Sequence, residues 1–135
     1  MRLRLLHLPL AIAAMLVSAA PLGAQPGRGA EALNVGRGVI CDTAEQAQRF
    51  LVLRNGGSQT VQALQVINRE AANPSACGEA TVAFRLGEPL QGASVEGLTV
   101  NVVRITVVAF SDGRSWSAVP DTVQYAIVAP NGIEV

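Results

Sequence analysis

Two cysteines, one histidine and ten carboxylates are the side chains of this 135-residue sequence from which a reactive centre could be assembled. Their positions remove most of that chemistry. The histidine is His7, inside an N-terminal segment read below as removable, and all ten basic side chains are arginine. Without histidine or lysine, the chain that remains lacks the commonest general base and metal ligand, and every Ser-His or Cys-His nucleophile arrangement. If Cys41 and Cys77 are bonded to each other, no zinc or copper site of the usual nitrogen and sulfur type can form. Paired carboxylates can still hydrolyse glycosides. However, Asp42, Glu45, Glu70, Glu79, Glu88, Glu96, Asp112, Asp121 and Glu134 fall mostly in caps, turns and helix surfaces, where solvated carboxylates are ordinary. The sequence therefore offers no catalytic residue, no metal site and no cofactor.

Two residues stand apart as ligand-contact candidates. Arg104 interrupts the most apolar stretch, Asn-Val-Val-Arg-Ile-Thr-Val-Val. It either aims a guanidinium at an anionic ligand or occupies an outward position on a half-exposed strand; the opposite phase of Val103 and Ile105 favours the second. Trp116 is either an exposed contact anchor, a role in which Trp is enriched, or a cap on the core, and the core is the expected place. The triplets Gly27-Arg-Gly29 and Gly36-Arg-Gly38 are too few to read as RNA-binding repeats.

The N-terminus carries the export argument. Arg2 and Arg4 precede an apolar run from Leu8 to Ala20, too short for about 30 Å of hydrocarbon but suited to a signal peptide. Leu22-Gly23-Ala24 before Gln25 offers the cleavage site, giving a signal over residues 1–24, with a cut after Ala19 as the alternative. No cysteine follows the run to take a lipid anchor, and the arginines are not adjacent, as a twin-arginine signal requires. The expected destination is the periplasm or the medium, with no stable membrane insertion after cleavage. Losing Arg2 and Arg4 leaves eight arginines against ten acids, a net charge of −2. Such a chain has no electrostatic footprint for nucleic acid or for an anionic membrane.

Residues 25–34, Gln-Pro-Gly-Arg-Gly-Ala-Glu-Ala-Leu-Asn, have no apolar periodicity and read as a flexible mature N-terminus. Residues 35–135 then form a single domain. Val35–Ile40 suggests a short strand. Thr43-Ala-Glu-Gln46 has capping-box spacing, with Asp42 as a competing cap. It opens a helix whose apolar face is Ala44, Ala47, Phe50 and Leu51, with Glu45 and Arg49 spaced to pair. Asn55-Gly56-Gly57 ends it. Ser58 can cap a second helix with Val61, Leu64, Ile67 and Ala71 as its stripe, stopped by Asn73-Pro74.

Beyond Gly78 the period becomes two. Val82, Phe84 and Leu86 alternate. Leu98, Val100 and Val102 then alternate in one phase, and Val103, Ile105, Val107 and Ala109 in the other. Either a bulge re-phases this strand or both of its faces are covered. Ser111-Asp112-Gly113 signals a hairpin into Trp116 and Ala118, and Val123, Tyr125 and Ile127 make a last strand. The expected fold is α+β: a disulfide-stapled helical hairpin followed by a three- to four-stranded antiparallel sheet.

Cys41 lies just before the first helix and Cys77 just after the second. An antiparallel helical pair brings those two ends together, and an oxidising destination bonds them. Cys41-Asp42-Thr43 followed by Glu45-Gln46, and Asn73-Pro74 followed by Ala76-Cys77-Gly78, resemble a group of small secreted bacterial proteins with no assigned function. The resemblance covers about residues 40–110. It implies a similar export route and disulfide, and no activity. Export, small size, a staple and the missing catalytic constellation point to a non-enzymatic domain that binds an envelope protein or component. A small-molecule binding protein is the alternative, and a carboxylate-dependent hydrolase a further one.

Overall fold

A computed structural model describes residues 32–129. The signal segment, most of the expected flexible N-terminus and residues 130–135 lie outside the described residues. The order is β1 (Leu33–Cys41), α1 (Ala44–Asn55), α2 (Thr60–Glu70), β2 (Cys77–Val95), β3 (Leu98–Ser111) and β4 (Trp116–Val128). The fold is α+β and mostly sheet. The four strands pair antiparallel in the order β1-β2-β3-β4, and a short contact between β4 and β1 closes them into a barrel. The strand expected over Val35–Ile40 forms and runs from Leu33 to Cys41. The expected order of a helical hairpin followed by the sheet needs a correction: β1 pairs with β2 across the two helices, which pack as a layer on a fold that is mostly sheet.

Local chemistry sets the helix ends. The Thr43 hydroxyl accepts from the Gln46 N–H at 3.2 Å while the Gln46 side chain accepts from the Thr43 N–H at 3.0 Å, so the capping box forms. At the far end of α1, Ser58 N–H donates to the Leu53 carbonyl and Gly57 N–H to the Arg54 carbonyl, both at 3.0 Å. This Schellman arrangement needs a left-handed residue, and Gly57 supplies it with φ 90°. The second helix is capped by Gln59 rather than Ser58. Its buried residues are Ala63 and Ile67, with Leu64 partly buried. Val61 and Ala71, expected in that stripe, are exposed.

Two apolar clusters occupy the two faces of the sheet. Phe50, Leu51, Ala63 and Ile67 from the helices pack on Val39, Val100, Val102 and Ile127. The opposite face curls on itself and buries Ile40, Val82, Phe84, Val103, Ile105 and Val107. Val102 therefore faces the helices and its neighbour Val103 the barrel interior. The change of phase in β3 records burial of both faces, each fully buried aliphatic contributing about 1.5–3 kcal/mol.

No bulge falls at Val102–Val103; in β3 the extra residue is Val108, which turns Ala109 to the face opposite Val107, and the other bulges lie in the neighbouring strands. Opposite Ile105–Val102, β2 carries extra residues between Leu86 and Pro89 and again between Pro89 and Gln91. β2 accordingly continues to Val95 instead of ending near Leu86, and Leu86, expected in the buried alternation, is exposed. Glu96 (φ 51°) and Gly97 (φ 81°) then form a two-residue turn with both centres left-handed, the geometry that matches strand twist. In β4 extra residues at Val119–Asp121, Pro120 among them, interrupt the pairing with β3. Trp116 and Val123 thus belong to one bent strand, not two.

Gly87 marks the tightest point of the bend. A Cβ built there would lie 2.5 Å from the Arg104 carbonyl oxygen. Gly87→Ala should lower stability by about 1–3 kcal/mol, because the β2 and β3 backbones must separate. A Cβ on Gly78 would meet nothing within 4 Å, so Gly78→Ala serves as the control. Urea midpoints measure both, and equal midpoints would contradict the close approach.

Candidate functional site

The two sequence motifs converge around the disulfide. Cys41 and Cys77 are bonded and sit directly opposite each other at the ends of β1 and β2, with Cα atoms 4.1 Å apart. Asn68, on α2, clamps the returning chain. Its side-chain amide donates to the carbonyls of Pro74 (2.9 Å) and Cys77 (3.0 Å), and its oxygen accepts from the Cys77 N–H at 2.8 Å. Beside it Ala72 holds φ 50° as the left-handed residue ending α2, a conformation costing about 1–2 kcal/mol without glycine. Asn73 follows. Its oxygen accepts from Ser75 N–H at 3.0 Å and its amide donates to Asp42 at 3.2 Å. The other Asp42 oxygen accepts from the Gln124 amide at 3.2 Å.

Asp42, Asn73, Ser75, Glu79 and Gln124 line an open cleft of about 360 Å³ floored by Ile40, Ala80 and Phe110. Both Asp42 oxygens are already engaged by amides, which suits a fixed acceptor. Elsewhere carboxylates serve structure. Arg49 pairs with Glu70 on α2 at 2.9 Å, not with Glu45 as the spacing suggested. That hydrogen bond holds the Glu70 carboxyl below the usual carboxylate range. Asp112 is held low by the N–H groups of Ser115 and Arg114, which it accepts in the β3–β4 turn. Arg85 pairs with Asp121, and Arg54 ties the end of α1 to Glu96 in the β2–β3 turn. Among the described residues no group of three or more His, Cys, Asp or Glu could hold a metal ion.

A second surface emerges only from strand register. The helices cover one half of the outer sheet face and leave the other open. There the pairings align three rows across all four strands: Arg37–Thr81–Ser111–Trp116, Val35–Ala83–Ala109–Ala118 and Leu33–Arg85–Thr106–Val123. Directly opposed residues share a face, so alanines form the floor of a shallow trough with larger side chains along both sides. It measures about 14 Å along the strands and about 14 Å across them. Leu33 and Val35 are 61% and 64% exposed, Trp116 50% and Val123 42%.

Trp116 accordingly stands on the outer face and not in the core, where the sequence had placed it. It begins β4 just after the β3–β4 turn, beyond the reach of the helices. Arg104 is exposed, on the same face as Val102 but past the edge of the helical layer, and its register partner is Tyr125. The structure thus separates the two candidates from the Asp42–Asn73 cluster. Asn68, Asn73 and Gln124 were missed as a group because only folding brings them together. The signal for the open face was the alternation Leu33, Val35, Arg37, Val39, Cys41, obscured by the glycines at 36 and 38.

No family model, no curated protein and no solved structure matches this chain.

Arg104 makes no ion pair among the described residues, so Arg104→Thr should change stability by under about 0.5 kcal/mol. A loss above about 2 kcal/mol in denaturant melts would contradict its outward placement.

Proposed function

We propose that the chain is a non-enzymatic binding protein of the cell envelope, exported to the periplasm or medium, whose contact surface is the uncovered half of the outer sheet face. One observation carries this reading. Leu33, Val35, Trp116 and Val123 present large apolar side chains from one continuous face of a domain with its core already filled on both sides of the sheet. Contiguous apolar surface on a small protein marks a place where something docks, and a half-exposed Trp is a favoured anchor in such contacts. The disulfide suits an oxidising compartment, and no described helix is long and apolar enough to cross a membrane. The motifs shared with small secreted bacterial proteins point to the same compartment. The reading assigns no reaction and no cofactor.

A second reading has its own observation. The cleft at Asp42, Asn73 and Gln124 combines an apolar floor with convergent polar groups, as small-molecule sites do.

Site-specific photo-crosslinking in cells separates these surfaces. With the crosslinker at Val35 or Val123, a discrete adduct should form. At Val61, as exposed as Val35 but on the helical layer, it should not. Adducts from Ser75 and none from Val35 or Val123 would favour the cleft. Adducts from Val61 alone would overturn the sheet-face reading.

A further inference from the structure

The row Arg37–Thr81–Ser111–Trp116, at one side of the trough, differs from the other two in being mostly polar. It borders a recess of about 300 Å³ lined by Arg37, Glu79, Thr81, Ser111 and Asp112, the lower end of the range for small-molecule sites. Two groups there carry opposite charge without meeting. Among the described residues, Arg37 and Glu79 make no ion pair and no side-chain hydrogen bond. The Thr81 hydroxyl makes no hydrogen bond among them either. Ser111 accepts from Gly113 N–H at 3.0 Å, which leaves its own O–H to donate. Asp112, by contrast, is taken up inside the turn by the N–H groups of Arg114 and Ser115. Directly opposite Ser111, Trp116 stands half-exposed beside the recess.

Charge selects the class of ligand. An anion in this recess meets Glu79, and a cation meets Arg37. Two neighbouring hydroxyls satisfy both, accepting from the guanidinium and donating to the carboxylate. The indole face next to them suits the C–H face of a sugar ring, an aromatic platform flanked by a few placed polar groups. Size and backbone agree. The three rows cover about 200 Å², whereas a standard protein interface buries roughly 800 Å² per partner, so a globular partner or a second copy has to rest on much else. β2 and β3 each pair with a strand on either side, so an extended peptide finds no strand to join there. We propose that this row binds a neutral glycan, with one sugar stacked on Trp116 and its hydroxyls held by Arg37, Glu79 and Thr81. The alanine row beside it leaves space for the chain to continue. This inference rests on the sheet-face reading above and names the partner of that face as a polysaccharide.

Trp116 is the single tryptophan of the chain, so its fluorescence reports on this site alone. The mature protein is titrated with three neutral tetrasaccharides: maltotetraose, cellotetraose and the tetramer of N-acetylglucosamine. At least one should shift the emission to shorter wavelength in a saturable way as the sugar covers the indole. Arg37→Gln and Glu79→Gln should each weaken that binding about tenfold, the loss of one hydrogen bond to a charged group. Arg104→Gln, the same change of charge on another part of the sheet, should leave it unaltered, and thermal melts confirm that all three variants fold. No saturable change from any of the three sugars at about 10 mM, where even a millimolar site fills, would overturn the proposal. Binding that survives both Arg37→Gln and Glu79→Gln unchanged would overturn it as well. Crosslinking from Val35 or Val123 keeps the two readings apart. If it captures a protein while no sugar binds, the glycan is overturned and the sheet face stands as a contact surface; if neither occurs, both fall.

Discussion

The bond between Cys41 and Cys77 is the joint on which the domain turns. It fastens the last residue of β1 to the first of β2 across an excursion that contains both helices. Without the cross-link, the nine-residue ladder between these strands must close a loop of more than thirty residues by hydrogen bonds alone. With it, register is fixed at the closing end, and the helices have one place to lie. Phe50 and Ile67 then reach the face that presents Val39, Val100 and Ile127. Asn68 reinforces the joint from the helical side by holding the Cys77 peptide at both its N–H and its carbonyl.

The second constraint is that one sheet has to supply two cores. β3 contributes Val100 and Val102 to one and Val103, Ile105 and Val107 to the other, which only a strongly curled sheet can use. Curling is accomplished by the extra residues in β2 and β4 and by the close approach of Gly87 to Arg104. Two short helices can cover only part of the outer face of such a sheet. The remainder, where Leu33, Val35, Val123 and Trp116 stand, follows from that geometry.

How much of this was legible in the sequence depended on whether the signal was local. The capping box of Thr43 and Gln46, the Gly56-Gly57 stop and the cysteine pairing are written in adjacent residues or in the ends of elements, and each formed as its chemistry dictates. The phase change at Val102–Val103 was visible, but choosing between a bulge and two buried faces required knowing what packs on either side. The second half of β2 was hidden because Gly87, Pro89 and Gly92 break the alternation that identifies a strand. Its turn was hidden because glutamate, rather than asparagine or aspartate, occupies the left-handed position before Gly97. Trp116 was misplaced for the same reason that the candidate surface was missed. A side chain's surroundings on a sheet depend on four strands in register and on where the helices stop, and neither is local.

Function in this account rests on what the joint positions: a filled double core, a polar cluster at Asp42 and Asn73, and an apolar face beyond the helices. The most direct test of its central claim is urea unfolding of the Cys41→Ser, Cys77→Ser double variant beside the parent protein. The account predicts a loss of about 3–4 kcal/mol for cysteines 36 positions apart, with a steeper denaturant dependence as the unfolded chain expands. An unchanged midpoint and slope would show that the ladder and the Asn68 clamp hold the domain without the bond, and would contradict the account.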